Sequence, residues 1–306
     1  MVALSDGVVR VRAPNPSPMT LTGTNTYLVR TSRDTVLVID PGPLIDQHVD
    51  AILEAASRLN ARIATILVTH GHPDHAPAAV PLAKRTGAPV LGHTYAKFPI
   101  DRQLEDDERL PFDDAVVTVI DAPGHALDHL VFATSGVLFT GDVVLGQGTT
   151  VVAPPGGAMR PYQNTLARLL REHGDARAIY GGHGEAVPDV RAKLVEYIEH
   201  RKMREQHVLD CLARGPATIP ELVTTIYAEV DKRLWPAAAR QMLAHLLALE
   251  EENRVVPHLL TRPPRPEEEA ILDPNLQRIA DPAAAAVARE ELGTSLNLPL
   301  VEYRLA

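Results

Sequence analysis

The chain is poor in the features that mark extracellular, membrane and polyanion-binding proteins. It has one cysteine, Cys211, in 306 residues. It therefore forms no internal disulfide, which suits a cytoplasmic location. No apolar run approaches the roughly 20 residues that span a bilayer. The opening Met1-Val2-Ala3-Leu4-Ser5-Asp6 lacks the basic-then-apolar order of a secretory leader, so no membrane association is expected. Aromatic residues are only 4% of the chain, and there is no long Lys/Arg block. With 30 Lys+Arg against 39 Asp+Glu, the formal net charge is -9. Proteins that hold long nucleic acids present a basic face, because phosphate contacts dominate their affinity. Tight, sequence-independent RNA binding is therefore disfavoured. The short clusters Arg201-Lys202-Met203-Arg204 and Lys232-Arg233 read as solvated helix faces.

Histidine, in contrast, is concentrated. The run Thr69-His70-Gly71-His72-Pro73-Asp74-His75 follows the β-branched apolar run Ile63 to Val68, which reads as a buried strand. Gly71 and Pro73 keep the histidine run out of a helix, so alternate side chains can converge. Further candidates follow other strand-like runs: Pro123-Gly124-His125, Gly141-Asp142 and Gly181-Gly182-His183-Gly184. Each alone is weak, since a single histidine after a strand is usually an ordinary loop residue. Together they supply His70, His72 and His125 for one cluster and Asp74, His75 and His183 for another, with Asp142 between them. Imidazole and carboxylate suit zinc, manganese or iron. The count fits two divalent ions, zinc first and manganese or iron as alternatives, each with an open position, as in catalytic sites. A structural zinc would be expected to use cysteines.

The signature His-x-His-x-Asp-His, followed by an isolated His, a Gly-Asp and a Gly-His, resembles the metallo-β-lactamase superfamily. Within it, four stretches resemble the β-lactamase-like protein 2 group: Gly23 to Val29, Pro123 to His129, Gly141 to Thr150 and Tyr197 to Glu205. The resemblance covers most of the first two hundred residues. It implies a four-layer αββα sandwich of the α/β class, with the metals at one edge of the two sheets. Members of the group include a single-strand-specific endoribonuclease, and relatives act as thioesterases.

The chemistry expected of such a site is hydrolysis. A water bridging two divalent ions is drawn towards hydroxide at neutral pH and attacks a carbonyl carbon or a phosphorus. Asp142 would hold the ions about 3.5–4 Å apart. Asp74 is the catalytic candidate, orienting the nucleophile while holding a metal. Asp40, at a strand end before Pro41-Gly42, is a candidate acceptor for a ligating imidazole or a turn former. His129 is a pocket candidate or a packed strand histidine. The loop Val152 to Tyr162 is expected to overhang the cleft, with Arg160 and Tyr162 as pocket candidates. Its Pro, Gly, Met and Tyr are more pocket-like than phosphate-like. It also departs from the shorter acidic loop expected of ribonuclease-like relatives. The favoured substrate is a small thioester, ester or lactone, with single-stranded RNA as the alternative. A non-catalytic nucleic-acid-binding regulator ranks third, because a binding-only protein has no need of every ligand. A homodimer is a further option.

The chain is expected to divide into a catalytic domain at 1–190 and a helical, winged-helix-like domain at 191–306. In the first, strands at Val8 to Ala13, Thr24 to Arg30, Thr35 to Asp40, 63–68, 90–92, 115–120, 129–133, 137–140 and 178–180 alternate with helices. The helices are Asp46 to Leu59 with Asp46 as N-cap, Pro77 to Arg85 stopped by Gly87, and Thr165 to Glu172. In the second, a long helix at Val190 to Ala213 precedes a helix begun by a Thr218–Glu221 capping box and a third from Trp235 to Glu251. Strands at Arg254 to Leu260 and Leu300 to Leu305 follow, separated by an enlarged wing loop at about 261–297. The third helix is apolar on one face and acidic at its end, so the domain reads as a buttress in preference to a DNA reader.

Overall fold

The computed structural model describes residues 1–4, 7–262, 264–272 and 300–306. The chain forms two compact units, one of residues 1–150 and 165–197, the other of 151–164 and 198–306.

In the first unit, β1 (Val2–Ala3), β2 (Val8–Arg12), β3 (Asn25–Arg30), β4 (Thr35–Ile39), β5 (Arg62–Leu67), β6 (Val90–His93) and β7 (Arg102–Leu104) lie in that order in one sheet. The pairs up to β3–β4 are antiparallel, and those from β4 to β7 are parallel. A second sheet has the order β12 (Ala178–Gly181), β11 (Val137–Gly141), β10 (Leu130–Thr134), β9 (Val116–Asp121), β8 (Arg109–Pro111). All its pairs are antiparallel except β11–β12. The short strands β1, β7 and β8 carry too few residues to show a period, and the sequence did not announce them.

Period-two alternation builds the sandwich. Tyr27, Val29, Leu37, Ile39 and Leu67 of the first sheet pack with Val117, Val119, Leu130, Phe132 and Phe139 of the second. Their neighbours Leu28, Val36, Val38, Ile63 and Ile66 face the other way. There they meet Val49, Ile52, Ala55 and Ala56 of α1 (Asp46–Arg58) and Ala79 and Leu82 of α2 (Ala79–Thr86). On the far side of the second sheet, Val131, Leu138 and Ile179 are also buried, as are Leu166 and Leu169 of α3 (Met159–His173). The scarce aromatics gather between the sheets: the ring centroids of Tyr27, Phe139 and Tyr180 lie 5.2–5.6 Å apart.

Two helix starts differ from the sequence reading. Asp46 is not the N-cap of α1; Ile45 is, without a side-chain cap. The Ile45 carbonyl accepts the first helical bonds, from His48 and Val49, which leaves Asp46 in the first turn, where its charge favours the positive helix end. Helix α3 begins at Met159, not near Thr165. Pro161 suggested a loop, but proline is tolerated in a first turn whose N–H groups lack partners.

The second unit contains the rest of α4 (Val190–Leu212), then β13 (Ala217–Thr218), α5 (Ile219–Ile226), α6 (Trp235–Glu251), β14 (Val255–Leu259), α7 (Pro266–Leu272) and β15 (Val301–Leu305). Its sheet has the antiparallel order β13-β15-β14. The capping box forms: Thr218 Oγ1 accepts from Glu221 N at 3.4 Å, and the Glu221 carboxylate accepts from Thr218 N at 2.8 Å. Ala239, Met242, Leu246 and Leu249 of α6 join Leu222, Val223, Val255 and Tyr303 in one core. Of the wing expected at 261–297, residues 264–272 include α7, while 263 and 273–297 lie outside the described residues. Among the described residues, no helix is long and apolar enough to cross a membrane.

Candidate metal centre

Parallel pairing brings the chemistry to one edge. Strands β4, β5, β9, β11 and β12 end at Ile39, Leu67, Asp121, Gly141 and Gly181. Asp40, the 69–75 run, His125, Asp142 and His183 follow those ends within a few residues. All of them belong to the first unit.

Three groups of ligand-type atoms result, each with its atoms within 4.8 Å of one another. They are His70–His72–His125, His70–His75–Asp142 and Asp74–His75–His183. Asp142 faces both outer groups. Its Oδ1 lies 3.4 Å from His75 Nε2, and its Oδ2 lies 3.4 Å from His183 Nε2 and 3.7 Å from His125 Nε2. Asp74 Oδ2 lies 3.2 Å from His183 Nε2 and 3.3 Å from His75 Nε2.

Hydrogen bonds aim the imidazoles. Asp40 Oδ1 accepts from Thr69 N at 2.7 Å, and its Oδ2 accepts from Thr69 Oγ1 and His75 Nδ1, each at 2.8 Å. Thr69 has spent its hydroxyl proton on Asp40, so it can only accept from His70 Nδ1, 3.0 Å away. Both imidazoles are thereby held with Nδ1 protonated and Nε2 turned into the cluster, where each neutral ring presents a lone pair. Those two Nε2 atoms are buried and lack a hydrogen-bond partner, as does Asp142 Oδ1. Buried polar atoms without partners are costly, and this donor set fits a divalent cation. Asp40 is placed where a second sphere of support would sit. His129 is fully buried, stacks on His70 with centroids 4.5 Å apart, and accepts from Asp142 N at 3.1 Å. It holds the Asp142 backbone and lies just before β10, not within a strand.

The charges complement this geometry. Burial takes the His70 and His129 imidazoles well below their ordinary range. Burial and the neighbouring His125 bring His72 down to about 3. His70 and His72 are therefore neutral at pH 7, ready to offer a lone pair. Burial works against the Asp142 and Asp74 charges, but His183 and His75 hold both carboxyls well below the usual range. Burial also opposes a charge on His183 and His75, yet Asp142 and Asp74 push His183 up to about 10 and His75 well above its ordinary value. The carboxylates thus attract positive charge into a buried space.

The stretch from Gly23 to Val29 turns out to clamp the last ligand loop. Asn25 Nδ2 donates to the carbonyls of Gly181 and Gly184 at 3.1 and 2.9 Å, and Tyr27 Oη donates to Gly181 O at 2.7 Å. Gly182 is required for close approach: a Cβ there would stand 2.5 Å from Asp142 Oδ1 and 2.6 Å from His75 Cε1. The histidine run is steadied by Asp128, which accepts from Gly71 N at 3.0 Å. Arg160 and Tyr162 belong to the second unit. There Arg160 is engaged by Glu205 at 2.6 Å and Glu252 at 2.5 Å. Tyr162 is fully buried, with the Arg201 guanidinium 5.1 Å from its ring centroid. Thr69, Asn25, Tyr27 and Asp128 were missed by sequence reasoning. Their partners lie many residues away, although Asn25, Tyr27 and Asp128 fall within the stretches Gly23 to Val29 and Pro123 to His129 that carry the family resemblance.

Comparison with known proteins shows what the chain is similar to. The family model described as the metallo-beta-lactamase superfamily matches residues 19–183, and that of the beta-lactamase associated winged helix domain matches residues 218–258. A beta-lactamase-like protein 2 homolog of Drosophila melanogaster is 32% identical over 273 residues, covering 82% of this chain and 90% of its own. An atrochrysone carboxyl ACP thioesterase of Aspergillus chevalieri is 32% identical over 253 residues, covering 78% of this chain and 79% of its own. A beta-lactamase domain protein from Burkholderia ambifaria superposes with a TM-score of 0.73 at 21% identity, covering 84% of this chain and 89% of its own.

Proposed function

The chain belongs to the metallo-beta-lactamase superfamily of hydrolases, and on that premise we propose that it is a dinuclear zinc enzyme that hydrolyses a small thioester, ester or lactone. His70, His72 and His125 would hold one ion and Asp74, His75 and His183 the other, with Asp142 shared between them. Bound divalent ions would supply Lewis acidity towards a carbonyl oxygen and make water acidic enough to attack at neutral pH. The chain does the rest. Asp40 and Thr69 keep the His70 and His75 lone pairs turned inward. The ionised Asp74 would accept a hydrogen bond from the attacking water and so orient it. Gly182 leaves the space in which Asp142 meets His75.

One observation carries the substrate class. The loops at this edge, residues 13–24, 40–45, 68–78, 94–101, 122–129, 142–150 and 182–189, contain a single lysine, Lys97, and no arginine. They instead expose Met19, Leu44, Tyr95 and Leu127. A phosphodiester chain needs cations along its track, whereas an uncharged acyl group suits an apolar rim. The Aspergillus relative is named a thioesterase, which supports the same direction.

The test is a side-by-side assay of the zinc- and manganese-loaded protein on single-stranded RNA and on a panel of acyl thioesters and lactones. Acyl hydrolysis without RNA cleavage is expected. Cleavage of RNA alone overturns the reading.

A further inference from the structure

Asp74 has a hydrogen bond from outside the cluster. Thr24 Oγ1 donates to Asp74 Oδ2 at 2.8 Å, and Thr24 is fully buried. The direction of this bond is set by Asn15. Asn15 Oδ1 accepts from Thr24 N at 2.9 Å, which fixes which end of the amide is oxygen. Its Nδ2 then donates to Thr24 Oγ1 at 3.0 Å. A hydroxyl that accepts from Asn15 has its own proton left for one acceptor, and that acceptor is Asp74. Thr24 also pairs through its backbone with His183 as an isolated antiparallel bridge, so its side chain bonds one member of the Asp74–His75–His183 group while its main chain lies beside another. Asn15 is in turn tied into the loop before β3: its carbonyl accepts from Thr20 Oγ1 at 2.5 Å, and Ser17 Oγ accepts from Met19 N and Thr20 N.

We propose that Asn15 and Thr24 form a one-directional proton-donor relay that holds Asp74 Oδ2 as an anionic acceptor, making Thr24 a positioning residue for the Asp74–His75–His183 ion. This rests on the dinuclear reading above. The relay also joins the site to the 14–22 loop, which carries the exposed Met19 at its tip.

Replacing one atom type distinguishes a relay from mere packing. Asn15→Asp keeps the size of the side chain and the acceptor for Thr24 N, but it offers Thr24 an acceptor where it had a donor. The Thr24 proton then turns away from Asp74. The added negative charge would on its own strengthen cation binding, so a weaker site in Asn15→Asp is a signature of the relay.

The experiment measures zinc stoichiometry and affinity by chelator competition, with kcat and KM on the acyl panel, for wild type, Asn15→Asp, Thr24→Val and Thr24→Ser. Supporting bonds of this kind are worth about 10–100-fold in metal affinity. Asn15→Asp and Thr24→Val should therefore weaken one of the two ions at least about tenfold. Thr24→Ser, which keeps the hydroxyl, should restore it. If Thr24→Val does not fold, Asn15→Asp and Thr24→Ser still decide the matter. A wild type that binds two ions beside an Asn15→Asp variant of equal affinity overturns the relay alone. A wild type that binds no metal overturns the relay and the dinuclear reading together.

Discussion

Asp40 Oδ2 lies 2.8 Å from His75 Nδ1, and the same oxygen accepts the Thr69 hydroxyl that in turn faces His70. One carboxylate therefore sets the tautomer of two imidazoles. Asp40 adopts a left-handed backbone, φ 51°, which asparagine tolerates. Asp40→Asn thus removes the charge while keeping the turn. Zinc affinity, read by chelator competition, should fall by about 10–100-fold with little change in the far-ultraviolet dichroism spectrum.

His70 is shared by two of the three ligand groups, and Asp142 faces both outer ones. His70→Ala or Asp142→Ala should abolish hydrolysis and reduce bound metal to one ion or fewer per chain. Elemental analysis of the purified variants checks this, and full metal with full activity in either would sink the ligand assignment.

Gly182→Ala places a methyl group into the contact between Asp142 and His75, at 2.5 and 2.6 Å. Activity should drop by at least about a hundredfold, equivalent to roughly 3 kcal/mol of transition-state stabilisation. Gly156→Ala, where nothing stands within 4 Å, should leave kcat unchanged. Equal kinetics in the two variants would contradict the role given to Gly182.

His48 gives a pH prediction remote from the ligand atoms. Thr26 Oγ1 donates to Asp40 O at 2.6 Å, so the His48 Nε2 that lies 2.8 Å away must be the donor to Thr26. Its Nδ1 is buried without a partner, and burial lowers the imidazole to about 4. The folded value is below the unfolded one, near 6.5. Only the unfolded chain takes up the proton between them. His48 therefore contributes its full stability above about pH 6.5 and loses it progressively as the pH falls to about 4. Urea melts of the chelated protein from roughly pH 7.5 to 4.5 should show a smaller pH slope in His48→Gln than in wild type, by up to one proton.

The metal-type side chains were legible because each follows an apolar run at once: Val68 precedes the histidine loop and Phe139 lies just before Asp142. The two-sheet core was legible for the same reason, in the alternation of residues such as Val36, Leu37, Val38 and Ile39. What supports those side chains was not. Asn25 reaches Gly181, Thr69 reaches Asp40 and Asp128 reaches Gly71. Single polar residues carry no period, and their partners are brought near only by strand pairing. Asp46 misled because an N-cap acid and a first-turn acid look alike in sequence, and here it is the preceding Ile45 whose carbonyl accepts the first helical bonds. Pro161 misled in the opposite way, by resembling a breaker within what is the first turn of α3.

The ligands divide between the two sheets. His70, His72, Asp74 and His75 hang from β5 of the seven-stranded sheet, while His125, Asp142 and His183 hang from β9, β11 and β12 of the five-stranded one. An ion held by both sets, as proposed, would be a rivet through the sandwich. Sliding of one sheet over the other, already opposed by the interlocked rings of Tyr27, Phe139 and Tyr180, would also have to break ligand bonds. Extraction of the ions should accordingly loosen the amides of β5 and β11 together, on opposite sides of the core, so that the chemistry of the edge also governs the rigidity of the centre.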